Sequence, residues 1–115
     1  MAYEIELDVG GEKKKFIRNE PPVLRDMTKA LIVQQQQLKM YSKDDGPTED
    51  DFNKNEKNLA NFAVSFWKNQ FKADQFIAGC DKKNMDILNL AIGDSLGGGN
   101  EDSPKKSQSK TSTKQ

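Results

Sequence analysis

The chain has no histidine and a single cysteine, Cys80. A histidine-dependent nucleophilic triad is therefore excluded, no intramolecular disulfide can form, and the common Cys/His zinc sites cannot be assembled. Long hydrophobic runs are also missing. The N-terminal "MAYEIELDVGG" alternates polar and apolar residues where a signal peptide would be continuously apolar, and no run approaches a bilayer's thickness. A reduced, cytoplasmic protein without a membrane partner is expected. Net charge is missing as well: 18 basic residues balance 18 acidic ones, so nothing draws the chain generally to polyanions.

At 115 residues, with 34% hydrophobic and 31% charged residues, the chain suits one domain whose apolar residues are concentrated in a few segments. In "YEIELDVGGEKKKFIR", Tyr3, Ile5, Leu7 and Val9 share one strand face, and Gly10-Gly11 offers a two-residue turn. Pairing Val9 with Glu12 places Ile5 opposite Phe16, Asp8 opposite Lys13 and Glu6 opposite Lys15, so apolar and opposite-charge pairs agree on one register.

Pro21 and Pro22 close this hairpin and suit the first turn of a helix whose stripe is Val23, Met27, Ala30, Leu31, Leu38 and Tyr41. Gln34 to Gln37 read as its polar face or as a self-association surface. "SKDDGP" breaks the chain. Thr48 then caps a helix with Glu49, Asp50 and Asp51 in its first turn, running to about Asn69. Its apolar positions, Phe52, Leu59, Ala60, Phe62, Ala63, Val64, Phe66 and Trp67, are broad enough for a central helix. A short helix from about Ala73 to Ala78 stops at Gly79. A last helix, capped by Asp81, carries Met85, Leu88, Ile92 and Leu96.

The expected fold is α+β: an N-terminal hairpin packed on three main helices and one short one, over residues 1–96. Residues 97–115, "GGGNEDSPKKSQSKTSTKQ", have no large apolar side chain and are expected to form a disordered tail.

No catalytic, cofactor or metal constellation emerges. Cys80 at a helix junction has no histidine as base and reads as a small packed thiol. Asp44, Asp45, Glu49, Asp50 and Asp51 lack EF-hand spacing and read as a solvated helix start. Lys13, Lys14 and Lys15 beside Phe16 form a minimal basic and aromatic patch, but the hairpin register sets two of them against acids. The aromatic run Phe66, Trp67, Phe71 and Phe76 reads as core, with some apolar edge left for a partner. Leu24, Val33, Ile77 and Ile87 lie off the expected core stripes and are the candidate partner contacts.

The order of "IELDVGGEKKKF", "VLRDMTKALIVQQQQ", the acid-capped aromatic helix and "NQFKADQFIAGCD" resembles the small tail assembly chaperones of long-tailed phages and prophages of Gram-positive hosts. The resemblance spans about residues 3–96. It is strongest in the hairpin and in Asn69-Gln70-Phe71 followed by Asp74, Phe76, Gly79 and Asp81. Lys72-Ala73 departs from the family's hydroxyl cap, and Cys80 stands where leucine is common.

The resemblance implies a non-enzymatic protein that binds the tape measure protein, keeps it soluble, helps recruit major tail protein, and is absent from the finished virion. A homo-oligomer is compatible with it. It also implies a longer frameshifted product: Gly98-Gly99-Asn100 and Pro104-Lys105-Lys106 can both be encoded by slippery runs. The alternative from another class is a nucleic-acid adaptor using the helix-turn-helix-like segment 73–96. There Lys82 and Lys83 begin the would-be recognition helix, with Asp81 and Asp86 flanking them.

Overall fold

A computed structural model describes residues 2–97. The fold is α+β: the hairpin β1 (Tyr3–Val9) and β2 (Glu12–Arg18) is followed by α1 (Leu24–Tyr41), α2 (Glu49–Phe66), α3 (Ala73–Gly79) and α4 (Lys82–Ser95). The expected disordered tail lies, but for Gly97, outside the described residues.

The strands pair as the charge and apolar patterns dictate, with Val9 opposite Glu12, Ile5 opposite Phe16, Asp8 opposite Lys13 and Glu6 opposite Lys15. Gly10 and Gly11 both take positive φ, as a tight hairpin turn between right-twisted strands requires. The lysines lean past their direct partners: Lys15 Nζ lies 3.7 Å from Glu4, and Lys13 Nζ 4.0 Å from Asp81.

Tyr3, Ile5 and Leu7 are buried in a core that Ala30, Val33, Ala60, Phe62, Ala63, Phe66, Trp67, Phe71, Phe76, Leu88 and Ala91 complete. The aromatic run is indeed its centre. Phe66 meets Tyr3 edge-on at 4.9 Å and Trp67 at 4.9 Å, while Phe71 stacks on Phe76 and meets Phe16 edge-on. Each of these rings removes a large apolar area from water.

Each helix start has its own cap. Thr48 Oγ1 accepts from Asp51 N, and Asp51 Oδ2 accepts from Thr48 N, a reciprocal box that satisfies two otherwise free donors. At α3, where the hydroxyl cap is missing, Gln75 Oε1 accepts from Lys72 N. Asp81 Oδ1 accepts from both Asn84 N and Asn84 Nδ2, and Asn84 Oδ1 in turn accepts from Glu6 N on β1. The cap of α4 thus also anchors it to the strand.

Several expectations are corrected. Pro21 and Pro22 precede α1 and do not enter its first turn, because Val23 holds the cap position in extended conformation. Of the stripe expected inside α1, Ala30 is buried and the rest faces out. Val23, Met27, Leu31, Leu38 and Tyr41 are exposed, whereas Asp26, Ala30, Val33 and Met40 are buried. Small Ala30 and Val33 allow close helix approach, and Asp26 has a buried partner described below. Helix α2 ends at Phe66, not Asn69, because Lys68 and Asn69 take positive φ and Asn69 N bonds back to Val64 O. Phe52, expected in the core, is 50% exposed.

Candidate functional site

Helix α2 presents Phe52, Asn55, Glu56 and Leu59 at positions i, i+3, i+4 and i+7, one face by helical geometry. Together with Phe76, Ile77 and Cys80 around α3 and Met85 of α4, they line a hollow of about 360 Å³. Phe76 is its buried floor, and Leu59 and Met85 are half-buried walls. Phe52 and Ile77 stand exposed at the rim. Glu56 is the one charge. The volume is at the small end for a ligand pocket and suits one or two apolar side chains of a helix laid across it.

Cys80 lines this hollow without being armed for chemistry. Burial, and then the neighbouring Asp81 charge, push its thiol up to about 11, so the thiolate is scarce at neutral pH. Its Sγ lies 3.6 Å from the Asp81 carbonyl. Among the described residues, no group of three or more His, Cys, Asp or Glu is placed to hold a metal ion, and no helix is long and apolar enough to cross a membrane.

A larger cleft of about 750 Å³ opens on the other end of α2, with Arg25, Lys29 and Lys68 among its walls and Arg18 and Asp26 within it. Arg18 and Asp26 are both buried, and their side chains meet at 2.8 Å. Arg18 also donates to the carbonyls of Phe66, Glu20 and Pro21, and its guanidinium lies 4.3 Å from the centroid of the Phe66 ring. Asp26 accepts from Val23 N as well, so it caps α1 and answers the arginine at once. Sequence reasoning did not single out this pair. The signal existed, because Arg18 pairs with Tyr3 and therefore belongs to the apolar face of the hairpin.

The four candidate contacts do not converge. Ile77 lines the hollow and Leu24 is exposed on α1, away from it. Val33, expected as an exposed contact, is corrected: it is 1% exposed and belongs to the core. Ile87 is half-buried and packs against the core. Lys82 and Lys83 are exposed, but Asn84, Leu88 and Ala91 of the same helix face inward.

The connector that carried the resemblance has a structural account. Asn69 adopts the left-handed conformation, Gln70 Nε2 donates to Ile17 O, and Phe71 enters the core, so three consecutive residues tie α2 to the hairpin. Gly79 does not stop α3 through a left-handed turn. A Cβ there would collide with the Asp8 carbonyl, so glycine lets α3 press on β1.

A two-stranded hairpin clamped onto four helices, with a hollow between α2, α3 and α4, defines a small α+β domain. A family model described as "Phage tail chaperone protein" matches residues 1–112, and the chain belongs to that family. The match continues past the domain into the Gly/Ser/Lys-rich segment. Comparison with curated proteins and with solved structures gave no match.

Proposed function

We propose that this tail chaperone is non-enzymatic and receives an amphipathic helical segment of the tape measure protein in the hollow between α2, α3 and α4. It keeps that client soluble in the host cytoplasm and leaves before the virion is complete. The observation that carries the reading is the exposed pair Phe52 and Ile77 at the rim of an apolar hollow in a chaperone-family protein. Client residues at i, i+3 and i+4 would fill it, with the modest and reversible affinity a chaperone needs. Major tail protein is recruited in the same assembly, through a longer frameshifted form.

Co-expression tests the client site. The wild-type chain is expected to keep tape measure protein in the soluble fraction and co-purify with it with little sensitivity to salt, whereas Phe52→Asp and Ile77→Asp lose both effects while remaining folded. Undiminished capture by both variants would refute this site. Steeply salt-dependent binding to DNA in its place would favour the nucleic-acid alternative. Reading the gene for a slippery run overlapped by a downstream frame tests the longer form.

A further inference from the structure

The outer face of α1 carries Leu24, Met27, Leu31, Gln34, Leu38 and Tyr41, spaced three, four, three, four and three residues apart. That is an unbroken a/d heptad seam with a single polar position, Gln34. All six are exposed, Leu24 at 71%, Leu38 at 63% and Tyr41 at 65%. A shallow apolar hollow of about 400 Å³ already lies between Gln34, Gln37, Leu38, Tyr41 and Ser42, of the kind that receives a knob from a facing helix. None of its lining residues belongs to the client hollow.

We propose that this seam is the interface of an antiparallel homodimer, α1 pairing with α1 of a second copy about a two-fold axis between Ile32 and Val33. The seam is its own complement in that register. Leu24 faces Tyr41 of the other copy, Met27 faces Leu38, and Leu31 faces Gln34, so every a position meets a d position and the contact closes on itself.

Gln34 selects this occupant over an apolar client helix. Against an apolar stripe its amide would be buried without a partner, which is costly. In the antiparallel pair the two Gln34 side chains flank the two-fold axis, offset by about 4.5 Å along the helix direction, and can hydrogen-bond each other. Antiparallel helix dipoles add to the preference. Thr28 and Gln35, at the flanking e positions, are uncharged, and the α1 cations Arg25, Lys29 and Lys39 lie at b and f positions away from the seam, so no like charges are forced together. The exposed parts of the six seam residues amount to roughly 600 Å² per copy, at most about 1,200 Å² in all if fully covered, the lower edge of a standard stable interface.

The test is sedimentation velocity on the full chain from micromolar to near-millimolar concentration. The expected species has twice the 13.0 kDa of one chain. Leu31→Glu sets two like charges beside the axis and should weaken the dimer about a hundredfold or more, with unchanged circular dichroism. Because Leu31 is partly packed on its own domain, Leu24→Glu at the most exposed position serves as the second variant. With Cys80→Ala as background, a chain carrying Leu24→Cys mixed with one carrying Tyr41→Cys should cross-link 24 to 41. A monomeric wild type, a dimer that survives both glutamates, or cross-linking of 24 to 24 in place of 24 to 41 each overturns the proposal. None of these outcomes bears on client capture at Phe52 and Ile77.

Discussion

Arg18 Nη2 lies 2.8 Å from Asp26 Oδ2, with both side chains almost wholly removed from solvent. The pair closes the hairpin onto the start of α1, and three further donors of the guanidinium reach backbone carbonyls. Removing one partner leaves a buried, uncompensated charge. Asp26→Ala is expected to lower unfolding free energy in urea by about 3–5 kcal/mol, far more than the loss of an exposed pair such as Lys54 and Asp50. The double variant Arg18→Met/Asp26→Leu should recover much of that loss, and equal destabilisation by the single and double changes would contradict the account.

Two glycines make a matched comparison. Gly79→Ala forces a methyl into the Asp8 carbonyl and should cost about 1–3 kcal/mol, because backbone, not a flexible side-chain end, has to move. Gly93, inside α4, has open space at its Cβ position, and Gly93→Ala should gain up to about 1 kcal/mol from helix propensity. Thermal melts read both, and a neutral Gly79→Ala would remove the close-approach explanation.

Acid stability should depend on Asp51. The Lys43 ammonium, 2.7 Å away, and then the Thr48 N–H hold its carboxyl down at about 2. A folded value below the unfolded one gives stability that is complete above about pH 4 and is lost as pH falls towards 2. Urea midpoints across that window should fall for the wild type and flatten for Asp51→Asn. A wild-type slope retained in Asp51→Asn would assign the acid response elsewhere.

Cys80 should be slow to alkylate at neutral pH, with reactivity climbing only as pH approaches 11. Cys80→Ala should fold and retain client capture. Rapid modification by iodoacetamide at pH 7, or loss of capture in Cys80→Ala, would reopen a chemical role for the thiol.

The hairpin was legible in full because period-two patterning, the Gly-Gly turn and cross-strand charges all select one register. The caps Thr48 and Asp81 were legible because their side chains act locally. Helix α1 was read on the wrong face for a physical reason. It carries two heptad-like stripes, and the more apolar one, Leu24 to Tyr41, is the one left outside. The buried stripe contains Asp26, whose burial is explained only by Arg18, a residue on another element. Around the hollow, the exposure of Ile77 was legible from its position off the helix stripe. Phe52 was not, since nothing local distinguishes an aromatic that packs inward from one at the rim of a hollow formed by α3 and α4.

Strand β1 is held at its start and its middle by α4: Asn84 accepts from Glu6 N, and the Tyr3 hydroxyl donates to Asp94, 91 residues later, at 2.8 Å. The order of synthesis therefore runs opposite to the order of completion. While a ribosome is still making α2 and α3, the hairpin has no α4 to cover it, and its apolar face stays accessible for most of translation. This member of a tail chaperone family thus has its own interval of vulnerability, which ends only when the last helix emerges.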